Sequence, residues 1–341
     1  MSKQDVAVVI LNWNGCKLLA EFLPSVVKYS QNYTVVVADN GSDDNSVEFV
    51  KSNFPTVKLI LLDKNYGFTG GYNRAIRQLS SYKYIVLLND DVEVTENWVE
   101  PIIAAMEEDD AIAVCQPKIL SYCNKTQFEY AGAAGGFIDY LGYPFCAGRV
   151  FEHLEQDNNQ FDKPREIFWA TGAAMFVKNS VFQQLEGLDE DFFAHMEEID
   201  FCWRAKNKGY KIMYCPQSKV YHLGGGTLNK VSSRKTYLNF RNNLLLLYKN
   251  LPQNKLHSVL FIRFFLDYLA AFSFLITSSK SEFQAVFRAR KDFYRIKKNF
   301  KSKRQANIKD YPNGVLMQSL VFQSKILHKN HFNKLEDRIK K

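Results

Sequence analysis

Unbroken apolar runs alternate with amphipathic segments through the first hundred residues of the chain. Runs of this kind are typical of strands that are buried on both faces of a sheet. Four of them predict strands, and the segments between them predict helices. The predicted strands are "VAVVILNW", "YTVVVADN", "VKLILLD" and "YKYIVLLND", and the predicted helices are "CKLLAEFLPSVVKYS", "NSVEFVKSNF" and "NRAIRQLSS". This order predicts an α/β fold with a mostly parallel central sheet and helices on both faces.

Each predicted strand ends in a cluster of polar residues. The clusters occupy residues 12–15, 39–44, 63–67 and 89–91. A single cluster of Asn, Asp, Gly and Ser is usual in a turn or at a helix N-cap. The carboxyl ends of parallel strands lie at one edge of a sheet, where ligands bind in such folds. Four clusters therefore predict a ligand site at that edge.

The fourth cluster places two adjacent carboxylates, Asp90 and Asp91, at the end of a buried strand. Their mutual repulsion and their loss of hydration both cost free energy. A divalent cation with oxygen ligands, Mg²⁺ or Mn²⁺, would neutralise the pair and bind a diphosphate. The alternative interpretation is a solvated turn.

The rest of the chain divides near residue 250. Residues 97–109, "NWVEPIIAAMEED", predict a helix, and "YAGAAGGFIDYLGYP" predicts a glycine-rich loop. After residue 250, aromatic and aliphatic runs are followed by segments rich in Lys and Arg. We therefore expect a catalytic domain at residues 1–250 and a basic, aromatic-rich helical extension at residues 251–341.

The charge is distributed unevenly between these two parts. Residues 251–341 carry 19 Lys and Arg against 6 Asp and Glu, a net charge of +13, whereas residues 1–250 carry 25 against 30, a net charge of −5. A basic extension on an acidic body suggests contact with an anionic surface.

Residues 256–277 are long and apolar enough to span a bilayer. Arg263 and Asp267 oppose a span, because each costs roughly 2.5–3.5 kcal/mol near a helix centre. A span would also place the body and the basic tail on opposite sides of the membrane. We expect a helix that lies in the membrane interface and is followed by basic residues. The alternatives are a transmembrane helix and a soluble helical cap on the catalytic domain.

The six cysteines show no C-x-x-C pair, and the first predicted strand begins almost at the N-terminus. These features favour reduced thiols and no targeting segment. We expect a cytoplasmic protein that is peripheral on the inner face of the cell membrane.

Seven motifs, in this order, resemble glycosyltransferase family 2 and its rhamnosyltransferase-like branch. They are "VVILNWNG", "VADNGSDDNS", "NYGFTGGYNRAI", "LLNDDVEV", "TGAAMFVKNSVF", "GLDEDFFAHMEEIDFCWR" and "VYHLGGGT", and they extend over roughly residues 5–245. The resemblance implies the GT-A fold, which is a Rossmann-like sheet. It also implies a metal-dependent, inverting transferase that uses a nucleotide sugar.

The resemblance implies roles for individual residues. Asp39 corresponds to the acid that hydrogen-bonds the nucleotide base, and Asn89, Asp90 and Asp91 correspond to the metal motif, with Asn89 in place of its first acid. Asp91 is then the expected metal ligand, and His222 is a second ligand or touches the diphosphate. The expected donor-binding residues are Asn12, Asp39, Asn65, Gly67, Gly70, Gly71, Asn89 and Asp90.

The segment "HMEEIDFCWR" resembles the family's Glu-Asp-x-Asp motif, with Glu198 where Asp is usual. This position implies the general base, and burial beside aromatic residues would raise a carboxyl pKa into the working range of a base. Glu197 and Asp200 are further candidates in this acidic cluster. Acids at a helix N-terminus that interact with the helix dipole are the alternative interpretation. Arg234 and Arg241 are candidates for neutralising the diphosphate.

The resulting hypothesis is transfer of a sugar from a UDP- or dTDP-sugar, dTDP-rhamnose among them, to a hydroxyl of a glycan or lipid-linked acceptor in cell-surface polysaccharide synthesis. A sugar nucleotidyltransferase is an alternative, although "LNWNGCKLL" offers little of the basic glycine-rich loop that a triphosphate needs. A nucleic-acid-binding protein is a second alternative. It leaves the acidic strand ends unexplained and has no recognisable binding module, so we expect no nucleic-acid partner.

Overall fold

The computed structural model describes residues 5–224, 233–304 and 307–341. Gly225, Gly226 and Thr227 of the last family motif lie outside these residues. The strands are β1 (Val6–Asn12), β2 (Thr34–Asp39), β3 (Lys58–Leu61), β4 (Tyr84–Leu88), β5 (Val92–Val94), β6 (Ile112–Ser121), β7 (Gly136–Asp139), β8 (Pro144–Cys146), β9 (Arg149–Val150), β10 (His153–Leu154), β11 (Arg165–Glu166), β12 (Ala174–Lys178), β13 (Lys211–His222) and β14 (Val315–Leu316). The helices are α1 (Cys16–Tyr29), α2 (Ser46–Asn53), α3 (Gly67–Arg77), α4 (Glu100–Glu108), α5 (Asn179–Gln184), α6 (Glu197–Asn207), α7 (Ser233–Asn250), α8 (Gln253–Thr277) and α9 (Lys280–Ile296).

Within the described residues, nine strands form one large sheet in the order β11, β13, β6, β12, β4, β1, β2 and β3, with β5 paired to β13. The strands β4, β1, β2 and β3 run parallel. β12 lies antiparallel between β4 and β6, and β13 runs parallel to β6. The predicted α/β fold is confirmed, and its four N-terminal strands form a parallel block.

Side chains of β1 alternate between two apolar cores on opposite faces of the sheet. Val6, Val8 and Ile10 enter the core that contains residues of α1 and α4, whereas Ala7 and Val9 enter the core that contains residues of α3 and α6. All five are at most 1% exposed. The strand is an unbroken apolar run because both of its faces are covered.

Two local predictions differ from the structure. Helix α3 begins at Gly67 rather than at residue 73, so the glycine-rich "GFTGG" is helical. The predicted loop "YAGAAGGFIDYLGYP" contains β7 and the start of β8. Gly136 allows this strand to form against an indole ring, since a Cβ there would lie 2.1 Å from Cε2 of Trp169. Gly136 therefore permits close packing against Trp169 and does not mark a flexible loop.

The second sheet combines a central segment of the chain with its C-terminal part. Its order is β10, β9, β8, β7 and β14, and β14 runs parallel to β7 through the pair Val315 with Ile138. Leu256, Phe293 and Phe332 belong to the same apolar core as α3. The extension after residue 250 therefore packs on the body, and the division at residue 250 stays a prediction.

The two charges that argued against a membrane span are buried inside the protein. Arg263 Nε donates to Asp267 Oδ1 at 3.0 Å, and Arg290 Nη1 donates to Asp267 Oδ2 at 2.6 Å. Arg263 also donates to the Leu141 carbonyl at 2.8 Å, which joins the middle of α8 to the body. The opposite face of α8 is apolar and exposed, at Phe261, Phe264, Phe265, Leu269, Phe272, Leu275 and Ile276.

Candidate active site

Strands β1 and β2 bring Asn12 and Asp39 together at the carboxyl edge of the sheet. They are register partners, and Asn12 Nδ2 donates to Asp39 Oδ2 at 3.0 Å. Ser42 closes the group, because its backbone N–H donates to Asp39 Oδ1 at 2.9 Å and its Oγ accepts from Asn12 at 3.2 Å. Asn12 Oδ1 is buried and has no hydrogen-bond partner among the described residues. A buried acceptor without a protein partner is open to a hydrogen bond from a ligand or water.

Asn40, which was not among the predicted site residues, connects the end of β2 to the start of α3. Its Oδ1 accepts from the Tyr66 N–H at 3.0 Å, and its Nδ2 donates to Asn65 Oδ1 at 3.2 Å and to the Gly67 carbonyl at 3.1 Å. Asn65 Oδ1 also accepts from the Gly67 N–H at 2.8 Å. Asn65 and Gly67 are therefore held next to the pair that Asn12 and Asp39 form.

The predicted donor-segment glycines permit close packing within the protein. Gly67 has a φ of +71° and packs beneath the Phe193 ring, so that a Cβ would lie 2.8 Å from Cε2. A Cβ on Gly71 would lie 2.7 Å from Cδ1 of Leu11, and one on Gly70 would lie 2.9 Å from Cβ of Tyr66. Their contact with a donor stays a prediction.

The carboxyl group of Asp90 lies next to Asn12. A Cβ on Gly15 would be 2.6 Å from both Asp90 Oδ2 and Asn12 Oδ1, so the bare glycine leaves the space beside these oxygens open. Burial, followed by the negative charge of Asp91, raises the pKa of Asp90 to about 7. The two carboxylates thus repel one another in the way that the sequence predicts.

His222 lies between two carboxylates. The antiparallel pairing of β13 with β5 places it opposite Val92, so that its Nε2 lies 3.0 Å from Asp91 Oδ1 and its Nδ1 lies 3.4 Å from Glu129 Oε2. Asn89 Nδ2 is 3.5 Å from the same Nε2. Burial lowers the pKa of His222, but hydrogen bonding to Asp91 and Glu129 outweighs burial and raises it to about 10.

Glu129 was missed because it precedes the glycine-rich segment and stands far from the other acids in sequence. The sequence feature that points to Glu129 is Gly224, whose φ is +67°. A Cβ on Gly224 would lie 2.7 Å from Glu129 Oε1. Only glycine at position 224 leaves room for the Glu129 carboxylate.

The donor set at Asp91 fits a divalent cation. Asp91 is 4% exposed, and its Oδ1 lies 3.0 Å from the imidazole Nε2 of His222. The carboxyl of Asp90 and the imidazole of His222 complete a group of oxygen and nitrogen donors. Among the described residues, however, no three His, Cys, Asp or Glu side chains lie close enough together to form a complete set of metal ligands.

Glu197 and Glu198 open helix α6 after a stretch with unusual backbone angles. Burial raises the pKa of Glu198 to about 7, and burial together with the charge of Glu198 raises the pKa of Glu197 well above its ordinary value. One carboxyl oxygen of each is buried and unpartnered among the described residues. A carboxyl with a pKa near 7 suits a general base at neutral pH.

Asp200 has different surroundings from Glu198. Burial raises its pKa, but Lys249 and Arg204 outweigh burial and lower the pKa to about 2. Arg204 Nε and Lys249 Nζ lie 2.7 and 2.8 Å from Asp200 Oδ2, and Asn250 Nδ2 lies 2.8 Å from Oδ1. These contacts assign Asp200 to a buried charge network that joins α6 to α7.

The two candidate arginines lie near the segment that precedes α6. The Arg234 guanidinium is 5.6 Å from the centre of the Phe193 ring. Arg241 Nη2 donates to the Phe192 carbonyl at 3.0 Å, and its Nε donates to Asn242 Oδ1 at 2.8 Å. Arg241 is therefore occupied by protein contacts, and diphosphate binding by either arginine stays a prediction.

The predicted residues thus form two groups. Asn12, Asp39, Asn65, Gly67, Asn89, Asp90, Asp91 and His222 lie along the carboxyl edge of the sheet and the start of α3. Glu197 and Glu198 lie at the start of α6. The contact of Phe193 with Gly67 joins the two groups.

The chain is similar to proteins of known activity. The family model described as Glycosyl transferase family 2 matches residues 7–185. The N-acetylglucosaminyl-diphospho-decaprenol L-rhamnosyltransferase of Mycobacterium tuberculosis is 25% identical over 231 residues, which are 63% of this chain and 75% of that protein.

Two solved structures show the same fold. Staphylococcus aureus TarS 1–349 in complex with UDP-GlcNAc has a TM-score of 0.54 and 14% identity, and the match covers 88% of this chain and 84% of that one. GalNAc-T7 with UDP, GalNAc and Mn²⁺ has a TM-score of 0.55 and 18% identity, over 71% of this chain and 47% of that one. The predicted GT-A fold is thereby confirmed.

Proposed function

The chain belongs to glycosyl transferase family 2, and from that premise we propose that it transfers a sugar, with inversion, from a nucleoside-diphosphate sugar to an acceptor hydroxyl. The proposal rests on two clusters of acidic residues, Asp90 with Asp91 and Glu197 with Glu198, which the contact of Phe193 with Gly67 joins. One lies at the carboxyl edge of the sheet, where nucleotides bind in such folds. The other offers a carboxyl with a pKa of about 7.

The edge of the sheet is proposed to bind the donor. Asp39 and Asn12 would hydrogen-bond the nucleotide base, supported by the unpartnered Asn12 Oδ1. Asn65, Gly67, Gly70 and Gly71 would border the nucleotide and the sugar. Asn89 and Asp90 would lie beside the diphosphate, next to the space that Gly15 leaves open.

Asp91 and His222 are proposed to hold a divalent cation, Mg²⁺ or Mn²⁺. When bound, such an ion supplies positive charge that stabilises the leaving diphosphate. The proximity of the buried Asp91 Oδ1 to His222 Nε2 supports the assignment, and the Mn²⁺ in the GalNAc-T7 structure agrees with it. Arg234 is a further candidate for diphosphate contact.

Glu198 is proposed as the general base. It would accept the proton of the acceptor hydroxyl while that oxygen attacks the anomeric carbon from the side opposite the leaving group, which inverts the configuration. The Glu198 carboxyl lacks a cationic partner within the described residues, and one of its oxygens is buried without a hydrogen bond. Because Glu is one methylene longer than the usual Asp, its backbone must lie slightly farther from the acceptor.

The proposed donors are UDP- and dTDP-sugars, and the name of the mycobacterial relative favours an L-rhamnosyl donor and a lipid-linked acceptor. The structure disfavours the nucleotidyltransferase alternative, because the carboxyl of Asp90 lies against Gly15 where a triphosphate loop needs positive charge.

The region after residue 250 is proposed to hold the catalytic body on the inner face of the cell membrane. Among the described helices, α8 is long and apolar enough to cross a bilayer. Its central Arg263, however, donates to the Leu141 carbonyl of the body, so a span would draw the body into the hydrocarbon. We therefore propose that α8 lies flat, with Phe261, Phe265 and Leu269, which are 52–66% exposed, against the lipid.

Helix α9 supplies the charge for this surface. Phe287, Lys291 and Tyr294 follow one another at helical spacing, and all three are exposed. Aromatic residues interleaved with cations suit the boundary of an anionic bilayer. This arrangement supports a peripheral, cytoplasmic location for transfer to a lipid-linked acceptor.

The test is hydrolysis or transfer by the purified full chain with dTDP-L-rhamnose, UDP-N-acetylglucosamine and GDP-mannose. Each donor is supplied with Mg²⁺, with Mn²⁺ or with EDTA, and free nucleotide is measured. We expect turnover of one donor, its abolition by EDTA, and a product of inverted anomeric configuration by NMR. Turnover unaffected by EDTA would contradict the metal, and a product of retained configuration would contradict the mechanism.

A further inference from the structure

The segment that leads into α6 is held in a conformation that L-residues rarely adopt. Phe193, His195 and Met196 have φ angles of +66°, +69° and +73°. At Phe193 the ψ angle is −56°, and the Ala194 N–H donates to the Phe192 carbonyl at 2.8 Å, which makes a γ-turn of the rare positive-φ kind. Such backbone persists only where its surroundings over-determine it.

Asn242 on α7 supplies that restraint. It is completely buried, and its Nδ2 lies within hydrogen-bond distance of three carbonyls, those of Phe192 at 2.9 Å, Ala194 at 2.7 Å and His195 at 2.8 Å. Its Oδ1 accepts from Arg241 Nε at 2.8 Å. The amide therefore gathers the carbonyls of the turn at one point and is itself oriented by its neighbour.

The turn connects both groups of the candidate site. On one side, the Phe193 ring packs on Gly67 at the start of α3. On the other side, Met196 is the N-cap of α6, and its carbonyl accepts the first helical hydrogen bond, from the Asp200 N–H at 2.9 Å. The direction in which Glu198 leaves the helix therefore depends on the conformation of the turn.

We propose that Asn242 is a positioning residue for the reaction: it fixes the turn at residues 192–196 so that the Glu198 carboxyl faces the acceptor. The proposal rests on the proposed role of Glu198 as general base. An amide is required because it donates to the carbonyls through nitrogen and accepts from Arg241 through oxygen. A carboxylate in its place would oppose three carbonyl dipoles, and a methyl group would leave buried acceptors without partners.

The test compares Asn242→Ala with Asn179→Ala. Asn179 is a matched control, because its buried amide donates to the carbonyls of Leu79 and Tyr82, a loop outside the proposed site. In the full chain with the donor that is turned over among dTDP-L-rhamnose, UDP-N-acetylglucosamine and GDP-mannose, Asn242→Ala should lower kcat about 10- to 100-fold with little change in the donor KM. Asn179→Ala should lower the unfolding temperature to a similar extent and leave kcat unchanged.

The pH profile separates positioning from general destabilisation. Asn242→Ala should shift the acidic limb of kcat, since it changes the surroundings of the carboxyl, whereas Asn179→Ala should not move that limb. Asn242→Ser retains one donor, so its kcat should fall between those of the wild type and Asn242→Ala. Equal kcat losses in Asn242→Ala and Asn179→Ala would overturn the proposal, as would failure of both Asn242 variants to fold.

A failure of the proposed base gives a different result. If Glu198→Gln keeps wild-type turnover, then Glu198 is not the base and the inference loses its premise, whatever the Asn242 variants show. If Glu198→Gln loses turnover while Asn242→Ala behaves like its control, the base stands and only the positioning role is overturned.

Discussion

Two carboxylates on helix α6 stand two residues apart and have opposite surroundings. Both oxygens of Asp200 accept hydrogen bonds, from Arg204, Lys249 and Asn250, and its pKa is lowered to about 2. Glu198 has no cationic partner among the described residues, and burial raises its pKa to about 7. Asp200, whose charge is balanced by protein cations, therefore stabilises the fold. Glu198, which has no such partner, is free to accept a proton from a substrate.

The same contrast separates larger regions. Under α8, Asp267 is paired with Arg263 and Arg290. At the sheet edge, Asp90 and Asp91 lie together without an arginine or lysine within ion-pair distance in the described chain, and His222 Nε2 lies 3.0 Å from Asp91 Oδ1. We infer that Asp267 stabilises helix packing, whereas the sheet-edge acids, beside a histidine that can release its proton, bind a divalent cation from solution. Substitutions that exchange or remove these charges test the distinction.

The largest effect is expected at the sheet edge. Asp91→Asn should lower turnover by about a thousandfold or more, because the proposed metal ligand and its charge are both lost. Its stability without metal and donor should change little, since the repulsion with Asp90 and the attraction to His222 are both removed. Turnover and urea denaturation, with the exposed Asp110→Asn as the control, check both statements. Normal turnover of Asp91→Asn would contradict the metal assignment.

Asp200→Asn should have the largest effect on stability. Removing this charge takes the anion from the buried Arg204 and one of the two anions from Lys249, which also pairs with Asp189 at 2.7 Å. Breaking such a buried network costs roughly 3–5 kcal/mol. The free energy of unfolding from urea titration measures the loss. A variant as stable as the wild type would show that the network is not structural, and the comparison with Glu198 would fail.

The sequence predicted the sheet edge well because its signals are local. The run from Tyr84 to Leu88 followed by two acids is visible in eight residues, and the parallel strands then bring Asn12 to Asp39. Charge neutralisation is not local. The cations that bind Asp200 include Lys249 on a distant helix, so the sequence alone could not separate Asp200 from Glu198.

The partners that were missed depend on tertiary contacts. Glu129 reaches His222 only because β13 pairs with β6 and with β5, which brings the end of one strand to the loop after another. Asn242 resembles any helical Asn in sequence, and its three carbonyl partners appear only when α7 packs on the turn. The unusual backbone at Phe193, a non-glycine residue, leaves no mark in the sequence.

The pH dependence gives a smaller and finer effect. Below pH 7, kcat should fall about tenfold per pH unit, because the base must lose its proton before it can accept another. The contribution of Glu198 to the free energy of unfolding should instead rise as the pH falls. The folded pKa of about 7 lies above the ordinary value of 4.5, so the folded state binds more protons between these values, and this group's contribution falls as pH rises through that window.

Rate and denaturation series from pH 5 to 9 check these two slopes. Glu198→Asp should keep part of the activity and move the acidic limb, since it retains a carboxyl and shortens the side chain. An acidic limb that is the same in the wild type and in Glu198→Asp would assign the ionisation to another group.

The smallest effect is expected on α9, where unpaired cations face outward. Lys291 is exposed and has no ion-pair partner within the described residues. Lys291→Gln should weaken binding to vesicles of anionic lipid by roughly 1 kcal/mol, about fivefold in the partition coefficient. Lys51→Gln on α2 is the matched control and should bind like the wild type. Co-sedimentation with phosphatidylglycerol and phosphatidylcholine vesicles measures the difference, and equal binding to both lipids would contradict the electrostatic part of the proposal.

The most direct test of the central claim is Glu198→Gln, measured for turnover, donor affinity and stability in one preparation. Removing only the proton acceptor should lower kcat by about 10²- to 10⁴-fold, leave nucleotide-sugar affinity by calorimetry unchanged, and leave the free energy of unfolding unchanged or higher. Turnover at the wild-type rate, or a stability loss as large as that of Asp200→Asn, would show that the unpaired carboxyl is not the base.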